Sequence, residues 1–491
     1  MRSFAMRATA LAVLALCQQA FGNEVDDLKA EIAAQKAAAA AQQQRLDALE
    51  QKLNAISAQQ TQQAQQAAAA PAKPAVAKAL TVDQQGVPVD PAAAGVTLYD
   101  NGNTSLRMYG IVEATGSHVD HQTAAGGRTT GFQVAWFSGN RLGFDIDHAV
   151  PELGQQWGMP DLKVITKLES EFELPTGDMD TANVFFNRDA WTGFYSDTLG
   201  KLTFGRQNTL TRDFTQNWGD PYGTADVTLK EGGYSNVNNF KQFIFYSGSA
   251  NGTRMNSSIV WKKKFDSHIV AGLAYSFGSG GNGGSGDVGN GGSVPGDFAR
   301  GTTQEASIAY NSLALGPGLL SANLSYDRAN VADLIHQSWL AGGNYRVGIF
   351  RVNTGYAHYT ADQGLHDSAG RRTDNSWTVS GSVTPIDKTE FSLGYQEMKG
   401  SHAGLNGGGN VLNPFGNTAG VTTTATGAKK TLYGAAVYHA DKQLDLYFAA
   451  DNFKVTGDWV VGDAQGNGNH FGLGHPYSNE TELAIGGRFK F

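Results

Sequence analysis

From Ser105 onward, apolar residues recur at every second position. Leu106, Met108, Gly110 and Val112 alternate with Arg107, Tyr109, Ile111 and Glu113. Leu142, Phe144 and Ile146 alternate with Arg141, Gly143, Asp145 and Asp147. Leu444, Leu446, Phe448 and Ala450 alternate with Asp445, Tyr447, Ala449 and Asp451. The stretch Glu480 to Phe491 sets Leu483, Ile485, Phe489 and Phe491 on one side, and Glu482, Ala484, Arg488 and Lys490 on the other. A period of two is the side-chain period of a strand. A soluble strand can show it, but its edge is normally covered. A strand that is apolar on one face, polar on the other, and ends on Phe suits the closing strand of a membrane barrel. Lipid then wets one face, water the other, and closure on the first strand removes the free edge.

The connections support this. Short turns recur at Ser196 to Gly200, Leu315 to Gly318, Pro385 to Lys388 and Ala440 to Lys442. Between them lie long Gly/Asn/Ser-rich stretches: His118–Ala135, Gly278–Gly301, Ala361–Asn375, Gly400–Ala428 and Thr456–Tyr477. Short and long connections in alternation mark an up-and-down barrel with tight periplasmic turns and long external loops. Counting Phe240–Gly248 as a wall strand gives an odd total and moves the Gly278 loop to the periplasmic side. Single-chain barrels of this kind have even strand number and both termini inside. Phe240–Gly248 is therefore assigned to one long connection, Asn208 to Thr253, between strands Lys201–Gln207 and Arg254–Lys263. About sixteen strands remain, a size that leaves an aqueous channel. A connection this long with strand-like content is usually functional, and it is expected to fold into the barrel and narrow it.

Composition fits. The 491 residues include 62 Gly, 25 Phe, 17 Tyr and 8 Trp, against 13 Pro and 1 Cys. Mean hydropathy is −0.32. This is no argument against a membrane protein, because a barrel strand spends only alternate residues on lipid. Beyond the N-terminus there is no run of ~20 apolar residues, so no spanning helix is expected. Formal net charge is −8, and removing a signal that carries Arg2 and Arg7 leaves 35 bases against 45 acids, or −10. An acidic chain of this kind is not expected to bind nucleic acid.

Residues 1–22 read as a secretory signal: Arg2 and Arg7, an apolar core from Ala8 to Cys17, and Ala20-Phe21-Gly22 as the cleavage site. Cys17 also suggests a lipoprotein anchor, but Leu16 stands where a small residue is wanted. Loss of Cys17 with the signal leaves no thiol for a disulfide, a metal or a nucleophile. Residues 23–57 read as a coiled coil, with heptad positions Val25, Leu28, Ile32, Gln35, Ala39, Gln42, Leu46, Leu49, Leu53 and Ile56. The three–four spacing is that of a left-handed seam, weak where Gln and Ala replace large residues. Such a seam needs a symmetric body to hold its copies together; a partly helical spacer is the alternative. Residues 58–95 are a Gln/Ala/Pro linker, and 96–491 form the barrel.

At this point the chain resembles the trimeric general porins of Gram-negative bacteria, most closely the beta-proteobacterial type. The carrying stretches are Ser105 to Ala114, Ser138 to Phe144, Leu168 to Phe172, Phe186 to Trp191, Gly200 to Gln207, Asp220 to Gly223, Arg254 to Trp261, Asp441 to Tyr447 and the terminal strand. The resemblance implies a homotrimer of sixteen-stranded antiparallel transmembrane barrels in the outer membrane, with the third loop folded inward. It implies a constriction where wall bases face loop acids, and it places Arg141, Arg206 and Arg254 in the wall. By alternation Arg141 faces the lumen, since Leu142 and Phe144 point out. Arg254 is assigned the same face, with Met255, Ile259 and Trp261 opposite. Arg206 shares its parity with Leu202 and Phe204, so alternation supports it less. The N-terminal coiled coil is unlike general porins and resembles the extension of sugar- and dicarboxylate-specific trimeric porins. The third loop and the connection Val150–Pro160 are longer than the family's pattern.

Opposed charges across a narrow aqueous gap order water and favour small polar solutes. Arg suits the wall because it stays charged at any working pH. The candidate loop acids are Asp213, Asp220, Asp226 and Glu231, with solvated loop carboxylates as the alternative. Asp220 is favoured by its Asp-Pro-Tyr-Gly turn. Glu113, Lys163, Lys167 and Glu169 are candidate lumen residues; Glu171 shares a face with the last three. Arginine dominance predicts mild anion preference, and dominance of the loop acids predicts weak cation preference. The expected partners are trimer mates, outer-membrane lipid and lipopolysaccharide, small hydrophilic solutes and ions, and peptidoglycan through the coiled coil. No cofactor, metal site or enzyme activity is expected: the 11 His are scattered, and no His-Glu-x-x-His or phosphate-cradling motif occurs. The rival functions are a solute-specific channel for sugars or small carboxylates, and a non-conducting adhesin or stalk.

Overall fold

The structure is a computed structural model. It describes residues 95–121, 127–133, 135–137, 139–181, 183–218, 254–266, 268–277, 302–331, 334–362, 371–405, 423–457 and 478–491, with helical positions scattered between 29 and 52. The chain separates into two units, Met1–Val76 and Ala77–Phe491. In the first, the described positions are helical and exposed, Ile32 among them. Gln43 donates to Asp47 one helical turn on, at 3.0 Å. The other expected seam positions except Gln35 lie outside the described residues.

The second unit opens with β1 (Val96–Asp100), β2 (Thr104–Val119), β3 (Thr129–Gln133) and β4 (Asn140–Ala149). A short helix, α1 (Pro151–Gln156), leads to β5 (Lys163–Phe172), β6 (Asp189–Ser196) and β7 (Gly200–Asn208). A second helix, α2 (Leu210–Trp218), precedes β8 (Arg254–Lys264), β9 (Ile269–Ser276), β10 (Thr303–Leu315), β11 (Gly318–Val331) and β12 (Leu334–Val347). The remainder is β13 (Phe350–Ala361), β14 (Arg372–Ile386), β15 (Thr389–Leu405), β16 (Thr423–His439), β17 (Leu444–Gly457) and β18 (Asn479–Lys490).

Every pairing is antiparallel, and the sheet closes where β18 meets β2 through Lys490↔Ile111. The backbones of Phe491 and Gly110 complete the seam, with N–H···O bonds of 2.8 and 3.0 Å in the two directions. The barrel has sixteen wall positions. The strand segments outnumber them because two wall strands are each made of two pieces. Both β3 and β4 pair with the same side of β2, through Thr115↔Gln133 and Ile111↔Arg141, so they are one strand with an interruption. At Val96↔Met108, β1 continues the line that β18 occupies higher on β2. Strand β3 lies within the stretch His118–Ala135 expected as loop. Strands also run further than expected at Arg372, Leu405 and Thr423, because a ladder bond satisfies a backbone group whatever its side chain.

The faces follow the alternation. Outward residues such as Leu393 (64 % exposed) and Ile485 (69 %) are apolar, while Ser307, Asn353, Ser376 and Glu482 point in and are buried. Each large apolar side chain moved from water to lipid contributes roughly 1.5–3 kcal/mol. No described helix is long and apolar enough to cross a membrane; the wall crosses with strands. The long connection after β4 is shaped by α1. Gly154 N–H donates to Val150 O at 2.9 Å and its carbonyl accepts from Met159 at 2.7 Å. A Cβ on Gly154 would lie 2.2 Å from the Met159 carbonyl, so only glycine fits this fold-back. The connection after β7 begins with α2, which packs against β9 to β13. The segment Phe240–Gly248 lies outside the described residues.

Candidate functional site in the barrel lumen

Strands β2, β4, β5 and β6 turn charged residues inward at their alternate positions. Arg107 of β2 is paired with Asp145 of β4. Above them, the Tyr109 hydroxyl donates to Glu169 Oε2 at 2.6 Å, and Lys167 Nζ stands 4.9 Å from the centre of the Tyr109 ring. Arg188, just before β6, bonds Glu169 Oε1 through Nε at 2.5 Å and pairs with Glu171 through its other arm. Arg141 and Lys167 both lie within electrostatic reach of Glu169. Asp189 accepts from the Trp191 indole at 3.0 Å. The result is a lane of interleaved bases and acids along one arc of the lumen.

The opposite arc is covered by α2. Leu210 and Phe214 are fully buried with Met255, Val260, Val270, Ala274 and Ala309. Gly272 makes room for them: a Cβ there would lie 2.6 Å from Leu210 Cδ1. The free N–H groups at the start of α2 meet a carboxylate. Leu210 N–H donates to Glu305 Oε2 at 2.5 Å and Thr211 N–H at 3.3 Å, the placement the helix dipole favours. Asp213 bonds Lys262 Nζ at 2.6 Å and accepts from Asn208 Nδ2 at 2.8 Å. Burial pushes its carboxyl up, but the Lys262 ammonium and its hydrogen bonds outweigh this and hold it below the ordinary carboxylate range.

The expected site residues divide accordingly. Arg141, Lys163, Lys167 and Glu169 share the inner face with the lane, and Arg141 Nε donates to the Gly139 carbonyl at 3.0 Å. Glu113 is inward and fully buried, opposite Arg488 in the register of β18, and it accepts from backbone and tyrosine groups. Asp213 lies on the inward-folded connection as an ion-paired anchor, not a solvated loop acid. Asp220, Asp226 and Glu231 lie outside the described residues.

Arg254 requires a correction of its parity argument. Ile259 and Trp261 do oppose the inward Val260 and Lys262, but Met255 points inward against α2, fully buried. The cause is an extra residue in β8. Pairing jumps from Gly205↔Ser258 to Gln207↔Met255, with Ser257 at φ 47°. The bulge exchanges the faces beyond it. The Arg254 side chain is nonetheless partly buried, within electrostatic reach of Arg188, Arg212, Asp189 and Glu171. Arg206 follows its parity. It pairs in register with Ala190, and its guanidinium donates to the Asn187 carbonyl at 2.8 Å and to Asn256 Oδ1 at 2.6 Å.

Among the bases not singled out from the sequence are Arg188 and Arg212. Arg188 lies within the Phe186–Trp191 stretch, so the signal was present. A residue before the strand proper has no parity to assign it. A second inward cluster lines β12 to β14. There Arg372 pairs with Asp374 at 2.7 Å, and the Tyr359 hydroxyl bonds His336 Nδ1 at 2.8 Å. Among the described residues no group of His, Cys, Asp or Glu is arranged to hold a metal.

Comparison with known proteins agrees with this geometry. The Gram-negative porin family profile matches residues 66–458. The chain is similar to an outer membrane porin protein of Bordetella pertussis, 23% identical over 288 residues, 54% of this chain and 67% of the relative. In fold it is similar to an anion-selective porin from Comamonas acidovorans, at 20% identity and a TM-score of 0.55, covering 79% of this chain and 100% of that one. A barrel with an apolar outer face, a charged inner lane and an inward-folded third connection, matched over most of its length by one family, belongs to that family: the chain is a Gram-negative porin, an outer-membrane channel for passive diffusion of small solutes.

Proposed function

We propose that solutes pass along the charged lane of β2, β4, β5 and β6 with a mild preference for anions, in a homotrimer. The observation that carries this is the balance of charge where Arg188 bridges the wall. Arg141, Lys167, Arg188 and Arg254 outnumber Glu169, Glu171 and Asp189 around it. Asp213, the described acid among the candidate loop carboxylates, already has Lys262 as its counter-charge. Fixed charges of both signs create a transverse field that orients water and dipolar solutes, and a net positive excess raises the local anion concentration. The helical N-terminal unit supports assembly, since Ile32 on its expected seam is exposed in the single chain. We assign 1–22 to export, 23–57 to a coiled coil between copies and 58–95 to a linker.

The test is the reversal potential of single channels in a potassium chloride gradient. A potential of the anion-selective sign, moved toward cations by Arg141→Glu, is the expected result. A potential that Arg141→Glu leaves unmoved would overturn the role of this arginine. Conductance steps in groups of three would support the trimer. Saturable block by a sugar or a dicarboxylate would replace general diffusion with a specific channel.

A further inference from the structure

The interruption between β3 and β4 is not a plain loop. From Ile111↔Arg141 to Thr115↔Gln133, β2 advances four residues while its neighbour advances eight. The surplus chain folds into the lumen. Trp136 and Phe137 are buried against the inward residues of β16, β17 and β18, namely Tyr433, Ala435, Val437, Tyr447, Ala449 and Ala484. The Phe137 ring meets Tyr447 edge-on with centroids 4.8 Å apart. These wall positions are apolar, unlike most of the inner face, which makes them a prepared seat.

Glu113 sits in the middle of the gap. Its N–H donates to Asn140 Oδ1 at 2.5 Å. Its Oε1 accepts the N–H of Trp136 at 2.7 Å, the N–H of Phe137 at 2.8 Å and the Tyr447 hydroxyl at 2.8 Å. Two adjacent amides on one carboxylate oxygen fix the peptide as a helix N-terminus would fix an anion, here with the anion on the wall. The fold-back ends beside the charged lane, since a Cβ on Gly139 would overlap the Glu171 carboxylate.

We infer that the Trp136–Phe137 fold-back, latched by Glu113, is a second constricting element that sets the width of the channel and its upper limit on solute size. Two inward-folded pieces thus occupy separate arcs, α2 on β9 to β13 and the aromatic pair on β16 to β18. The charged lane lies between them on β2 to β6. The two rings are packed down on the β16 to β18 wall, so the pair narrows the lumen by the volume it fills beside the charged lane.

This rests on the channel reading, and the test separates the two. Single-channel conductance and liposome swelling with sugars of graded size are measured for the wild type, for the double variant Trp136→Ala/Phe137→Ala, for Phe137→Leu and for Glu113→Ala. Removing both rings should raise conductance about twofold and admit larger sugars, because current scales with open cross-section. Phe137→Leu, which disturbs folding least, should give a smaller rise in the same direction. Glu113→Ala should approach the double variant. Unchanged conductance and size limit in correctly folded Phe137→Leu and Glu113→Ala would overturn the inference while leaving the channel intact. A wild type that does not conduct would overturn the channel reading itself.

Discussion

Asp213 of α2 lies 2.6 Å from the Nζ of Lys262 on β8, and this pair ties the inward-folded connection to the wall. Both side chains are nearly buried, and removing one partner of a buried pair costs about 3–5 kcal/mol. Asp213→Ala should therefore loosen α2 and appear as noisier, more frequently closing channels, with the barrel itself still heat-resistant on a denaturing gel.

The same pair gives the channel a pH dependence of defined sign. The Asp213 carboxyl is held below its ordinary value in the folded protein. A carboxylate depressed in this way contributes its stability fully above the unfolded value and loses it as pH falls through the folded value. Closing events should thus stay rare from neutral pH down through the ordinary carboxylate range and rise only below it. Asp213→Asn should remove the acid-induced component of closure.

Gly272 supplies a separate handle on α2. Its missing side chain is the space Leu210 fills. Gly272→Val should push Leu210 off the wall, at about 1–3 kcal/mol for overpacking. The measurement is the closing voltage in planar bilayers, which should fall. A closing voltage equal to wild type would show that α2 is held elsewhere.

Arg188, just before β6, pairs with both Glu169 and Glu171 of β5. Arg188→Ala leaves both acids with one base fewer and should lower the anion-to-cation permeability ratio by roughly threefold, given how strongly charge acts across a narrow low-dielectric gap. A matched Arg188→Lys variant should recover most of it.

On the outer face, Leu324 is a lipid-facing residue midway along β11. Leu324→Arg should cost about 2–4 kcal/mol at the bilayer midplane, seen as a lower urea midpoint for unfolding from liposomes.

The wall was legible because lipid and water impose opposite chemistry on successive residues. Leu444 to Asp451 and Glu482 to Lys490 take the faces their alternation assigns. The charged lane followed for the same reason at Arg141, Lys163, Lys167 and Glu169. Legibility stopped where the register shifts. The extra residue at Ser257 leaves no compositional mark, yet it turns Met255 inward and breaks the parity used for Arg254. Trp136 and Phe137 were equally hidden. They follow a stretch rich in Gly and Thr that reads as external loop, and their partners on β16 to β18 lie far away in sequence. Arg188 sat in plain view but outside any strand pattern.

The inverted faces of the wall also decide where such a chain can settle. An export machine that retains continuous greasy segments finds none to hold along the wall strands, because polar and small residues recur between the large apolar ones. The polypeptide therefore passes through the inner membrane as if it were a secreted protein. It becomes a membrane protein only when pairing with its neighbours sorts alternate residues to one side. In this molecule, residence in lipid is a property of the closed sheet and of no single segment.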